Sequence, residues 1–150
     1  MALMYPPRVG AILMCDFPSE FQPPEMVKTR PVVVLSPRLP GRDGLAAIVP
    51  ISGTEPTPLT SHHCVIPARF LPRFMQASGG DRWAKCDMLY TFGLERLSPV
   101  KLKGRGSDGR RLYEYPAVDL ATLRAIRRGA AAALGISSDL WTETTVIDRE

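Results

Sequence analysis

Fifteen prolines and twelve glycines break the apolar runs of this chain every few residues. An uninterrupted helix needs ten or more residues without such breaks, so the pattern predicts short strands over most of the length. The clearest case is KTRPVVVLSPR, from Lys28 to Arg38. Its VVVLS core is mostly β-branched or apolar, too short for a helix and closed on both sides by Pro31 and Pro37, as expected of a buried strand. Pro31 biases Arg30 towards extended backbone, which sets a guanidinium where the strand emerges. The five donors of Arg suit a phosphate better than a flexible Lys does. The plain alternative is that Lys28, Arg30 and Arg38 only solubilise the strand ends.

Further strands are expected at 9–17, 45–52, 61–67, 83–92 and 110–115. The prolines of PSEFQPPEMV force a loop of about ten residues after the first. The segment LPGRDG reads as the turn of a hairpin, and residues 68–82 as one helical turn weakened by Pro72. A basic glycine-rich loop is expected between 98 and 109. In the run 83–92, alternation puts Trp83, Lys85, Asp87 and Leu89 on one face, making Lys85 and Asp87 neighbours. Pro116 and Asp119 open the one long helix, with Leu120, Leu123, Ile126, Ala130, Ala133 and Leu134 on its apolar stripe and Gly135 at its end. The fold class that follows is mainly β (α+β): a small, strongly bent antiparallel sheet or barrel, residues 1–135, carrying a C-terminal helix.

At 150 residues and 45% hydrophobic the chain suits one core. No apolar run approaches the roughly 20 residues that span a bilayer, and the N-terminal segment lacks a convincing cleavage site, so a cytoplasmic protein is expected. Cys15, Cys64 and Cys86 have no metal-type spacing. Adjacent His62 and His63 would point to opposite faces if extended, which favours ordinary core or surface roles. The net charge of +4 is uneven: past residue 135, four carboxylates oppose Arg149, leaving the tail at −3 and residues 1–135 at +7. A basic body points to polyanions. In the tail, Leu140, Trp141, Val146 and Ile147 alternate with acidic residues like a docking strand.

The order of pieces, a strand ending in Asp16 and Phe17, a loop, TRPVVVLSP, VPIS, then KCDML followed by ERL, resembles the PemK/MazF family of toxin endoribonucleases. The resemblance implies an SH3-like β-barrel, a homodimer, a cognate antitoxin partner, and cleavage of single-stranded RNA with no metal or other cofactor. Arg30 falls on the family's catalytic Arg and Ser52 where the family usually carries Thr. Lys85 and Asp87 occupy the places of a basic residue and an Asp used by some PemK-type members. Those members also place a His in the first loop, where this chain has none; Glu25 is the nearest candidate base there, or Asp87, held ionised by Lys85, takes the 2′-hydroxyl proton alone. Lys28, Glu25 and Trp83 are expected to contact substrate, Trp83 by stacking, while Phe70 and Phe74 read as core. Barrels of this kind also include toxins that poison a DNA topoisomerase, so a non-catalytic binding module, of that sort or a degenerate RNA-binding member, is the competing reading.

Overall fold

The computed structural model describes residues 3–38 and 40–136. Strands β1 (Ile12–Asp16), β2 (Thr29–Val34) and β3 (Leu45–Ser52) form an antiparallel meander, with Leu13 opposite Val32 and Val33 opposite Val49. The β2–β3 turn is closed by a two-pronged contact, Arg38 Nε and Nη2 each donating to Asp43 at 2.9 Å. Arg38 is thereby committed to the turn. Next come β4 (His63–Ile66), a 3-10 turn over Ala68–Phe70, the short α1 (Arg73–Gln76), β5 (Arg82–Lys85) and β6 (Tyr90–Gly93). A second 3-10 turn leads into β7 (Leu97–Ser98), the ribbon β8 (Val100–Arg105) with β9 (Arg111–Glu114), and α2 (Leu120–Ala133). The strand order is β4-β5-β3-β2-β1-β7, with β6 also on β3. Among the described residues β4 and β7 do not pair with each other, so the bent sheet is not closed into a ring by hydrogen bonds.

The expected strand over 83–92 is two strands. β5 pairs with Ile51 and Ser52, β6 with Leu45 through Ile48, and Val49 and Pro50 have no partner on that edge. Pro50 has no N–H to donate, so the ladder lapses beside it. The intervening residues turn away, the Met88 N–H donating to the Lys85 carbonyl at 2.9 Å. The expected basic loop is likewise corrected: half of it is β8, which gains its hydrogen bonds from β9.

Two apolar clusters hold the sheet. Ile12, Val33, Val49, Ile66 and Ala84 pack under Leu123 and Ile126 of α2. Leu13, Cys15, Val32, Ile48 and Leu97 fill the opposite side with Phe17. The helix begins as expected, the Asp119 carboxylate accepting the Thr122 N–H at 2.9 Å. Gly10, at φ +81°, lets the chain fold back so that its carbonyl accepts the Val118 N–H. Arg127 turns inward and donates from Nη2 to the Leu35 carbonyl at 2.8 Å. The acidic tail, with Leu140, Trp141, Val146 and Ile147, lies outside the described residues. No described helix is long and apolar enough to cross a membrane.

Candidate active site

The first loop is held rigidly. Phe21 packs against Tyr90 and Phe92 of β6, at ring separations of 5.8 and 6.1 Å, and the Met26 N–H donates to the Tyr90 hydroxyl at 3.2 Å. Glu25 Oε2 accepts the Gln22 N–H at 2.8 Å. The loop returns to β2 through Lys28, whose φ of +68° is rare for a side-chain-bearing residue; its carbonyl accepts the Phe17 N–H at 3.0 Å. Arg30 then donates from Nε to the Val27 carbonyl at 3.2 Å. That bond uses the inner nitrogen and leaves the two terminal nitrogens for an anion.

Residues 23–27 of the loop and Arg30 form one wall of a cleft of about 550 Å³, whose lining also includes Ser52, Phe74, Arg82 and Lys85. Arg30 comes from β2, Ser52 from the end of β3 and Lys85 from the end of β5, which pair side by side. Ser52 Oγ accepts the Thr54 N–H at 3.1 Å. This turn contact uses a lone pair and leaves the hydroxyl proton to donate. Arg82 is occupied, its Nη1 donating to the Gly79 carbonyl at 2.8 Å and its Nη2 to Ser78. Phe74 is not core as expected: α1 turns it outward, 48% exposed, onto the cleft wall. Phe70 does pack against the core.

A second cleft of about 390 Å³ adjoins the first through Thr54, Lys85 and Met88 and is lined also by Glu55, His63, Trp83 and Asp87. Asp87 therefore lies in the neighbouring cleft, in the turn after β5, and is not the in-strand neighbour of Lys85 that simple alternation predicts. Lys28 lines neither cleft.

The two histidines, expected on opposite faces, come together because His62 is in the turn before β4. Their rings are 4.3 Å apart. Thr60 Oγ1 is 2.9 Å from His62 Nδ1 and 3.0 Å from His63 Nδ1, and His62 Nε2 is 3.9 Å from Asp87 Oδ2. His63 Nδ1 also accepts the Thr60 N–H at 3.0 Å, so the neutral ring carries its proton on Nε2. Partial burial, then the neighbouring His62, lower the His63 pKa below that of a free imidazole. His63, read in the sequence as an ordinary core or surface residue, is brought to the second cleft by its pairing with Lys85 across β4 and β5, a contact that no local pattern signals. Burial pushes the Cys15 and Cys86 thiols up to about 12, which removes both as nucleophiles.

A family model described as PemK-like, MazF-like toxin of type II toxin-antitoxin system matches residues 8–110. The chain belongs to this PemK/MazF family. Its fold is shared with MazF from Deinococcus radiodurans, at 20% identity and a TM-score of 0.57, covering 87% of this chain and 98% of that one. A mycobacterial endoribonuclease in complex with its cognate antitoxin is similar at 17% identity and a TM-score of 0.55, covering 87% and 97%. The toxin MazF-mt6 of Mycobacterium tuberculosis aligns at 13% identity and a TM-score of 0.53, covering 84% and 97%. No curated protein matched. The match to the PemK/MazF family takes in every candidate site residue, from Glu25 to Asp87, and ends within the ribbon turn.

Proposed function

We propose that this PemK/MazF toxin is an endoribonuclease that cuts single-stranded RNA in the cleft holding Arg30, Ser52 and Glu25. The observation that carries the reading is the convergence of these three residues, from a clamped loop and two paired strands, on one open cleft with Lys85 beside them. RNA supplies its own nucleophile, the ribose 2′-hydroxyl. The protein needs to take that proton, stabilise charge on phosphorus and let the 5′-oxygen leave protonated.

Arg30 donates from its terminal nitrogens to the non-bridging oxygens as charge grows there. Ser52 donates its hydroxyl proton to the same phosphate and fixes its orientation. Lys85 adds positive potential. Glu25 accepts the 2′-hydroxyl proton: it shares the cleft with Arg30, and Oε1 is outside its bond to Gln22. The 2′-oxygen to phosphorus bond forms, the phosphorus to 5′-oxygen bond breaks, the departing 5′-oxygen takes a proton from a solvent water that the open cleft admits, and the ends are a 2′,3′-cyclic phosphate and a 5′-hydroxyl. Asp87, Trp83 and the His63 Nε2–H face a flanking nucleotide in the second cleft, and Lys28 meets the backbone outside. Relatives solved with antitoxins, among them MazE–MazF of Deinococcus radiodurans, support an antitoxin partner, and family resemblance supports a homodimer.

The test is incubation of purified, antitoxin-free protein with a long single-stranded RNA in EDTA, beside Arg30→Ala, followed by mapping of ends. Cleavage at a repeated short motif with 5′-hydroxyl ends, lost in the variant, is the expected result. Ends bearing 5′-phosphate would overturn the mechanism, and no cleavage would return the reading to a binding module.

A further inference from the structure

The β8–β9 ribbon has two unlike faces. Lys101 stands opposite Tyr113 and Arg105 opposite Arg111, and directly opposed residues share a face. The register slips by two residues between these pairs, which keeps all four on the same side. Lys101, Arg105 and Arg111 are exposed there. The other face starts with Val100, buried, opposite Glu114. The Glu114 carboxylate turns to α1, accepting the Arg73 N–H at 2.9 Å with Arg73 Nε at 3.8 Å.

Residues 100–114 carry five cations and two carboxylates. Glu114 is engaged with Arg73, and Asp108 pairs with Arg110 in the turn at 3.7 Å. Among the described residues no ion pair reaches Lys101, Arg105 or Arg111. Two arginines directly opposed across an antiparallel pair repel one another, and that repulsion is relieved when an anion lies over them. The cations run along a ribbon and do not ring a hollow, a geometry that fits a linear polyanion better than a small ion. Tyr113 sets an aromatic ring among them, the combination that holds single strands.

The ribbon also connects to the proposed active site. Phe74 lines the main cleft and, on its other side, a smaller hollow with Thr29, Ser98 and Lys101. A strand passing Phe74 on its way out of the Arg30 cleft arrives at the first cation of the basic face.

We propose that the outer face of the β8–β9 ribbon is a second, sequence-independent site that binds phosphates of the RNA flanking the cleaved one. The inference rests on the reading of RNA as the substrate. Its test compares the wild-type protein with Lys101→Gln/Arg105→Gln/Arg111→Gln. The long probe is a 2′-O-methyl RNA of about 20 nucleotides, which binds without being cut, and the short one a cleavable RNA of about 6 nucleotides carrying the mapped motif. The variant is expected to bind the long probe about tenfold more weakly at low salt, and the slope of log K against log salt to become shallower by about 2. Cleavage of the short RNA should be unchanged. Arg111→Glu, which places opposite charges across the ribbon, should raise the Tm while weakening the long probe, a pair of effects that a purely structural role would not produce. Unchanged affinity and salt slope in a wild type that binds and cuts RNA overturn the ribbon site alone. Loss of an acidic protein partner with RNA binding intact overturns it in favour of a protein-docking face, and a wild type that binds no RNA overturns both readings.

Discussion

Gly129 of α2 lies so close to Cys86 that an added Cβ would stand 2.8 Å from the Cys86 Sγ. The helix meets the turn that carries Asp87 at its first residue, and a bare backbone makes that approach possible. Gly129→Ala would gain helix propensity of about 1 kcal/mol in an open site. Here the methyl must displace Cys86, so a net loss of about 1–3 kcal/mol is expected. Urea titration checks it, and adding Cys86→Ala should recover part of the loss.

Arg30 and Ser52 differ in how replaceable they are. Arg30→Lys keeps a charge but loses the fork and the Nε bond to Val27, so kcat should fall by about 10²-fold or more with little change in Tm. Ser52→Ala should cost less, and Ser52→Thr, which retains the hydroxyl, should keep activity near wild type. Single-turnover cleavage assays separate these outcomes. Equal losses for Ala and Thr at position 52 would remove the hydroxyl from the mechanism.

The first loop is tied to the sheet by the Tyr90 hydroxyl. Tyr90→Phe keeps the ring packing with Phe17 and Phe21 and deletes only the bond to the Met26 N–H. Stability should fall by about 1 kcal/mol. Cleavage should fall more than that loss of folded protein explains, because Glu25 and the Val27 carbonyl that orients Arg30 share the loop. Thermal melts and cleavage rates on the same samples provide the comparison.

His63 contributes a pH dependence of defined sign. Its folded-state pKa lies below the free value of about 6.5. The folded form therefore resists protonation, and stability is full above that value and declines as the pH falls through it. His62, Lys85 and Asp87 face the ring; Lys85 and His62 add to the depression and Asp87 opposes it. The Tm of wild type should drop further between pH 7.5 and 5.5 than that of His63→Gln. Parallel curves for the two proteins would refute the assignment.

Local chemistry made several parts of this fold legible in the sequence. β3 runs from Leu45 to Ser52 as the apolar run after the LPGRDG turn indicates, and Asp119 caps α2 where the side-chain pattern begins. The Arg30 and Ser52 positions could be read from their strand-end settings together with the family pattern. What stayed hidden depends on contacts distant in sequence. The break after Lys85 originates at Pro50, on a different strand. β8 looks like a loop because Gly104 and its cations resemble one, and only β9 supplies its partner. His62 and His63 meet because a turn at Thr60 precedes β4, and Phe74 faces outward because α1 stands over the cleft.

The lapse in pairing beside Val49 and Pro50 has a consequence for how such a protein can diversify. The residues between β5 and β6 are anchored at both ends yet owe no hydrogen bond to the β3 edge they pass. Insertions and substitutions there leave the register of either strand undisturbed. Met88, on the border of the two clefts, and Asp87, in the second, can thus be exchanged with little penalty to folding on a scaffold that anchors Arg30 and Ser52 elsewhere.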